Sequence, residues 1–391
     1  MKLIIFSYNF PPDISAGAFR IRSLVSQLDK CLKNNIEIHV LTSIPNRYSA
    51  ATNSIEYSER VYVKKFSVPD LGKSFFGLAL AYTVYFCKAL LFGIFIRPNL
   101  VIGTSSRFFT SFLATLVSTC SRAKLIIDLR DIFSESFKDN FAFNSKALGQ
   151  MVFRIFYFLE CACLKRADSI VQVSPCFNDY YPPSISSKNW LTITNGIDEI
   201  FLHHRYSLPK LNFSNKSSVL YAGNIGIAQA LHKIIPYLAK SNPQIKFKII
   251  GEGSGRKILE NSIKIADISN VEILNPMSRE KLINEYIIAD VLFLHLRNIP
   301  AFQKVLPSKI FEYGAFNKPI LAGVCGFMES FLNNNFSNAY IFYPEHSDDA
   351  NIKLHNALKY SKKNKLHNNF VKQYSRNYLL KQYSDEVIKL I

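Results

Sequence analysis

The sequence is poor in the patterns that mark several large protein classes. Its seven cysteines include no C-x-x-C, and the closest pair is Cys161 and Cys163. That spacing argues against a disulfide framework or a zinc ribbon and fits a reducing cytosol. The eight histidines are scattered without an H-E-x-x-H, and adjacent His203 and His204 lie in a polar stretch that reads as surface. No D-x-D occurs, so a metal held by paired carboxylates has no evident ligands. Glycine and proline are few, 15 and 16, while 48% of residues are apolar, which excludes fibrous and disordered classes. Acidic residues are also short, 29 against 47 basic, for a net charge of +18. Nucleic acid, an anionic membrane face, phosphorylated substrates and plain solubility would each account for that balance. The basic residues are dispersed and form no nucleic-acid motif, so nucleic acid is the weakest of these.

What is present is a repeated rhythm. Short apolar runs alternate with helix-length segments. In the first half they are Lys2–Tyr8, Ile36–Thr42, Val61–Phe66, Leu100–Gly103, Lys124–Leu129, Ser169–Val173 and Leu191–Thr194. In the second half they are Ser218–Ala222, Lys246–Ile250, Val271–Leu274, Val291–Leu296, Pro319–Ala322 and Tyr340–Tyr343. Continuous apolar runs of this kind are parallel strands buried on both faces, and the pattern is α/β, twice over. The expected organisation is an N-terminal Rossmann-like domain over 1–202 and a C-terminal one over 203–373. A last helix over 374–391 is expected to pack back on the first domain. The polar stretch His203–Ser217 reads as a linker. The opening MKLIIFSYNFPP has too short an apolar run for a signal peptide and reads as a first strand.

Phe75–Ile96 is almost wholly apolar, broken only by Lys88, and long enough to span a bilayer. Strands needed in one sheet lie on both sides of it. An interfacial or core helix with Lys88 snorkelling is therefore the favoured reading, with a true span as the alternative. Met151–Arg166 is a second apolar-basic segment, read either as a membrane contact or as an ordinary core helix.

Three places invite chemistry. In YNFPPDISAGAFRIR a strand ends and Gly17 precedes a helix, whose free N–H groups suit a phosphate; Arg20 and Arg22 either add charge or face solvent. LIIDLRD sets Asp128, Arg130 and Asp131 at a strand's C-terminal end. There Asp131 and Arg130 either bind an acceptor hydroxyl or phosphate, or form a strand-end ion pair. In VLPSKIFEYGAFNKPIL, Pro307 and Ser308 start a helix with Lys309 in its first turn and Glu312 one turn on. A cation there opposes the helix dipole unless an anion is bound, so Lys309 is either a diphosphate ligand or half of a surface pair with Glu312. Gly223, Asn224 and Gly226 give a second phosphate-type turn before a helix. Glycines 251, 253 and 255 do not form the nicotinamide motif.

Taken in order, VIGTS, DLRDIFSES, ADSIVQVS, ITNGIDEIF, YAGNIGIAQAL, IIGEGSGRKILE and PSKIFEYGAFNKPIL resemble a family 4 glycosyltransferase of the GT-B fold, of the bacterial surface-polysaccharide type. DLRD, GNIG-x-x-Q and PSKIFEY are similar to the subgroup transferring N-acetyl-L-fucosamine or related sugars in O-antigen and capsule assembly. The resemblance implies two Rossmann-like domains with a cleft between them. It also implies retaining transfer, without metal or other cofactor, from a nucleotide sugar, UDP-linked, to a lipid-diphosphate-linked saccharide. Glu312 corresponds to the glutamate on the donor ribose, and Lys309 falls near the diphosphate. Gly17, Gly223, Asn224, Lys304 and Ser308 complete the donor-side set, while Asp131 and Arg130, with Lys309, are the catalytic candidates. The sequence departs from the family where a glutamate is replaced by Lys304 and a histidine by Arg130. The GNIGIAQALHK turn also lacks the family's Arg and Lys pair, for which Lys304 and Lys309 are the candidate substitutes. The implied location is cytoplasmic, peripheral on the inner membrane face. A UDP-sugar 2-epimerase of the same fold and a degenerate sugar-nucleotide-binding protein are the alternatives.

Overall fold

The computed structural model describes residues 1–13, 15–44, 57–70, 75–105, 108–135, 146–203, 217–359 and 368–391. Most of the expected linker His203–Ser217 lies outside them. The chain forms two compact units, one of Met1–Asn195 with Asn377–Ile391 and the other of Gly196–Arg376.

The first unit is built on β1 (Lys2–Phe6), β2 (Glu37–Ser43), β3 (Val61–Phe66), β4 (Leu100–Thr104), β5 (Lys124–Leu129), β6 (Ser169–Gln172) and β7 (Trp190–Thr192). They form one sheet in the order β3-β2-β1-β4-β5-β6-β7, and every pairing is parallel. The second unit holds β8 (Ser218–Ala222), β9 (Lys246–Ile250), β10 (Val271–Leu274), β11 (Val291–His295), β12 (Ile320–Gly323) and β13 (Ala339–Phe342), parallel in the order β10-β9-β8-β11-β12-β13. Each strand matches an apolar run of the sequence to within about two residues, because strands buried on both faces cannot carry a polar side. Leu3, Ile4, Ile5 and Phe6 of central β1 are all fully buried. Edge strand β3 instead exposes Tyr62, Lys64 and Lys65, a charged rim that discourages pairing with another chain.

In the first unit the longer helices include α1 (Ala16–Cys31), α2 (Phe75–Ile96), α3 (Phe108–Cys120) and α4 (Lys146–Arg166). The second has α5 (Leu231–Ser241), α6 (Arg256–Ile265), α7 (Arg279–Ile288), α8 (Ser308–Gly314), α9 (Phe327–Asn335) and α10 (Ser347–Leu358) among its longer ones. The last helix, α11 (Arg376–Leu390), places Leu379, Leu380, Tyr383 and Val387 in one apolar cluster with Ile21, Leu24, Val25 and Leu28 of α1.

Helix α2 is a crossover, since β3 before it and β4 after it are parallel strands of the same sheet. It buries Ala81, Tyr82, Tyr85 and Ala89, and the Tyr85 hydroxyl donates to the Leu41 carbonyl at 2.8 Å. Lys88 turns aside to donate to the Ser67 carbonyl at 2.9 Å. The outer side of α2 still exposes Leu80, Leu91 and Phe95, and α4 exposes Leu148, Met151, Ile155 and Phe158.

Arg20 does not face solvent. Its guanidinium is buried and grips Asp128 at the end of β5 through two bonds of 3.1 and 3.0 Å. A third bond of 2.8 Å reaches the Thr194 carbonyl, and the Tyr383 ring lies 5.9 Å from the guanidinium carbon. Asp128 is therefore satisfied by α1, not by its neighbour Arg130. Removing one partner of such a pair typically costs about 3–5 kcal/mol, because the other charge is left buried alone.

A second buried carboxylate fixes the segment after β5. Glu160 of α4 accepts from the Phe133 amide at 3.0 Å and from the Ser134 hydroxyl at 2.7 Å, with 3% of its surface exposed. Burial pushes its pKa from 4.5 to about 7, against those hydrogen bonds, which pull it down. The folded chain thus holds this proton more tightly than the unfolded chain. The contribution of Glu160 to stability is therefore greatest below about pH 4.5 and falls as pH rises to about 7. Chemical denaturation of wild type and Glu160→Gln at pH 5 and pH 7.5 checks this: the wild type should lose stability relative to the variant at the higher pH, by at most about 3 kcal/mol. Parallel pH dependence in the two proteins would refute it.

Candidate functional site

The C-terminal end of β8 and the start of α8 carry Gly223, Asn224, Ser308, Lys309 and Glu312, residues expected from the sequence at a donor site. Strand β8 ends at Ala222, and Gly223 opens the loop that runs to a 3-10 turn over Ile227–Gln229. This loop has almost no room around it. A side chain on Gly251 would put its Cβ 1.8 Å from the Gly223 carbonyl oxygen, so only glycine permits the approach. Straps hold it: the Ile225 amide donates to the Glu252 carbonyl at 2.9 Å, and the Gly255 amide to the Ile225 carbonyl at 2.8 Å. The side chain of Asn224 turns back into the loop, donating to Gln229 Oε1 at 3.1 Å, and the Gly226 amide donates to the same oxygen at 3.1 Å.

Helix α8 is only seven residues long, with Pro307 at its N-cap position and Ser308 as its first residue. Lys309 and Glu312 do form an ion pair, at 2.8 Å, but not on the open surface: their side chains are 21% and 15% exposed. Lys309 lies along the Gly223 backbone, where a Cβ on Gly223 would come within 3.1 Å of Lys309 Cε. The fold thus brings Gly223, Lys309 and Glu312 together. Lys304 is half-buried and follows the short helical turn Pro300–Gln303, one element earlier.

Tyr286 of α7 completes the cluster and escaped sequence reasoning. Its hydroxyl donates to Glu312 Oε2 at 2.7 Å and accepts from Lys309 Nζ at 3.4 Å. Burial raises the phenol's pKa well above its ordinary value, and the Glu312 charge adds to this, so it remains a donor. For Glu312, burial pushes the carboxyl pKa upward, but the charge and hydrogen bond of Lys309, helped by Arg279 and Tyr286, outweigh it and hold the pKa below the ordinary value. The bonds from Tyr286 and Lys309 both go to Oε2, and among the described residues no donor reaches Oε1. The cluster is an ionised carboxylate with an oxygen to spare beside an ammonium, against a glycine backbone. That combination suits a ligand with vicinal hydroxyls next to an anionic group. The only signal for Tyr286 was its place in the apolar stretch before β11, which does not tell a core tyrosine from a site tyrosine.

In the first unit, the fold joins Gly17 to Arg130. The guanidinium lies over the first turn of α1, and a Cβ on Gly17 would sit 2.4 Å from Arg130 Nη1. The Arg130 amide donates to Ser105 Oγ at 2.8 Å, and its Nε is buried without a hydrogen-bond partner among the described residues. Burial lowers the Arg130 pKa, as does neighbouring Arg20, against Asp128 and Asp131. Asp131 is exposed, and desolvation by the surrounding protein pushes its carboxyl pKa up, opposed by the Arg130 charge. The turn that follows Asp131 is the one anchored by Glu160. That residue too was missed, although a lone glutamate inside FYFLECACL was a visible signal.

Residues 207–376 match the family model described as glycosyl transferases group 1. No match was found among curated proteins. Among solved structures, the chain is similar to sucrose-phosphate synthase from Thermosynechococcus elongatus, with a TM-score of 0.74 and 14% identity over 100% of this chain and 98% of that one. It is also similar to HepE of Anabaena, solved with UDP, with a TM-score of 0.65 and 14% identity over the full length of both chains. A third is the lipopolysaccharide outer core galactosyltransferase WaaB, with a TM-score of 0.61 and 12% identity over the full length of both. The whole chain therefore has the α/β, two-domain GT-B fold. The domain match over residues 207–376, which contain the Gly223–Lys309–Glu312–Tyr286 cluster, supports a glycosyltransferase enzyme.

Proposed function

We propose that the chain is a retaining glycosyltransferase of family 4. In this reading it moves N-acetyl-L-fucosamine or a related amino sugar from a UDP-linked donor to a lipid-diphosphate-linked saccharide in O-antigen or capsule assembly, without a metal ion. The observation that carries the reading is the Lys309–Glu312–Tyr286 cluster against Gly223, inside the segment that matches group 1 glycosyltransferases. A UDP-linked donor is supported by the solved structures of HepE with UDP and with UDP-glucose. Assembly of a surface polysaccharide is supported by the likeness to WaaB.

In this reading Glu312 Oε1 receives the ribose hydroxyls while Oε2 stays with Tyr286 and Lys309. Lys309 faces the diphosphate. As the anomeric bond breaks, negative charge grows on the leaving diphosphate, and an ammonium already in place stabilises it without reorganising. The tightly strapped Gly223–Gly226 backbone packs against the Lys309 stem and so lies beside the same phosphates. On the acceptor side, Arg130 above Gly17 holds the acceptor's anionic group, and Asp131, whose raised pKa favours proton uptake, takes the proton from the attacking hydroxyl. The first unit lies against the inner face of the cell membrane through the apolar side chains exposed on α2 and α4, aided by the net charge of +18.

Steady-state kinetics with the cognate donor check the donor site. Lys309→Ala should lower kcat by roughly 10²-fold, the usual cost of losing a donor to developing charge. Glu312→Gln should raise the donor KM about tenfold or more, since a hydrogen bond to a charged group contributes roughly 1.5–3 kcal/mol. Near-native kinetics in both variants, with both still folded, would defeat the assignment. Sedimentation with anionic vesicles checks the membrane face: binding at low salt that high salt reverses is expected, and no binding at low salt would overturn it.

A further inference from the structure

His295, the last residue of β11, is fully buried and takes no direct part in the cluster above. Its ring belongs to a three-ring cluster, 6.3 Å from Phe293 and 5.9 Å from Phe342, which are themselves 6.3 Å apart. Gly323 on β12 makes room for it, because a Cβ there would fall 2.3 Å from His295 Cδ2. Both ring nitrogens are used. Nδ1 lies 2.7 Å from the Gln229 carbonyl oxygen, and Nε2 lies 3.0 Å from the Glu345 amide nitrogen.

These partners fix the tautomer. A backbone amide only donates, so Nε2 is the acceptor and carries no proton. A carbonyl only accepts, so Nδ1 carries the proton and donates it to Gln229. Burial pushes the ring pKa down to about 4, which keeps it neutral at physiological pH. A protonated ring would lose its acceptor for the Glu345 amide.

The two partners belong to different loops. Glu345 follows β13, has a left-handed backbone at φ 65°, and pairs through its side chain with Lys233 of α5 at 2.5 Å. Gln229 ends the turn that follows Gly226, and its side-chain oxygen receives both the Gly226 amide and the Asn224 amide. A further backbone bond, from the Arg297 amide to the Ala228 carbonyl at 3.0 Å, ties the segment after β11 to the same turn. Hydrogen bonds therefore run without a break from Glu345 through His295 and Gln229 to the Gly226 amide.

We propose that His295 is a positioning residue for the donor diphosphate: as the Nδ1–H tautomer it clamps the Gln229 carbonyl, and through Gln229 it holds the Gly223–Gly226 backbone in the shape that receives the phosphates. This rests on the donor site proposed above. It is not a catalytic residue, since it touches neither Lys309 nor Glu312. An apolar ring of similar size would pack against Phe293 and Phe342 equally well, so packing alone does not call for histidine there.

The test uses the full chain and three free nucleotides, UDP, GDP and ADP, titrated calorimetrically into wild type and His295→Phe. The variant keeps the aromatic stack and removes both hydrogen bonds. At least one nucleotide should bind the wild type, and that nucleotide should bind the folded variant about tenfold more weakly, because the loop must then be ordered on binding. Equal affinity in the folded variant would overturn the role of His295 alone. No binding of any nucleotide to the wild type would instead overturn the donor site itself. Nitrogen-15 NMR of wild-type histidines keeps the proposal testable should the variant fail to fold. The expected signature is a protonated Nδ1 and an unprotonated Nε2, with both resonances shifting when the nucleotide binds. An Nε2–H tautomer, or resonances indifferent to nucleotide, would refute the clamp.

Discussion

An ammonium group that is four-fifths shielded from water needs an anion beside it, and Lys309 has Glu312 at 2.8 Å. Much of the second unit is organised by that requirement. Glu312 is in turn a shielded carboxylate and needs more than one donor, which Tyr286 supplies from α7. Tyr286 is locked by rings on both sides, with Tyr313 at 5.6 Å and Phe316 at 5.2 Å between ring centres. The glycine at 223 lets the lysine stem lie along the strand end, and the glycine at 251 lets the neighbouring loop close on it. An isolated pair of this kind on an open helix would contribute a few tenths of a kcal/mol. Shielded, with a phenol as third partner, it holds two charges at a fixed distance ready for a ligand.

The first unit answers the same requirement with different chemistry. Arg20 and Asp128 satisfy each other completely enough to be buried, so they hold α1 to the end of β5 and have nothing left for a ligand. Arg130, two residues on, has its guanidinium over Gly17 instead. The two arginines differ in their partners: Arg20 is fully paired, whereas Arg130 Nε is buried without one among the described residues. Glu160 adds a third case, a carboxylate buried with only hydrogen-bond donors and no cation among its named partners, and its pKa rises accordingly.

The strands were legible because burial on both faces leaves an unmistakable apolar run, as in KLIIF or VLFLH. The crossover role of α2 was legible from its flanking strands, although its composition alone equally describes a membrane span. Lys309 and Glu312 were legible as a pair, since their spacing puts them on one helix face. Their enclosure was not, because it comes from Tyr286 and Gly223, which are distant in sequence. Arg20 was misjudged for the same reason: its partners Asp128 and Thr194 lie more than a hundred residues away, and no local pattern reports them. His295 lies inside the expected strand run Val291–Leu296, and no local pattern reports its two backbone partners, the Gln229 carbonyl and the Glu345 amide.

The central claim is that the donor nucleotide binds within the second unit, between the Gly223 loop and the start of α8. Hydrogen–deuterium exchange on the full chain, with and without saturating UDP, GDP or ADP, tests it most directly. The account predicts that at least one nucleotide slows exchange in both segments, residues 223–229 and 307–314. Protection in neither segment with any of the three, or protection confined to Met1–Asn195, would contradict it.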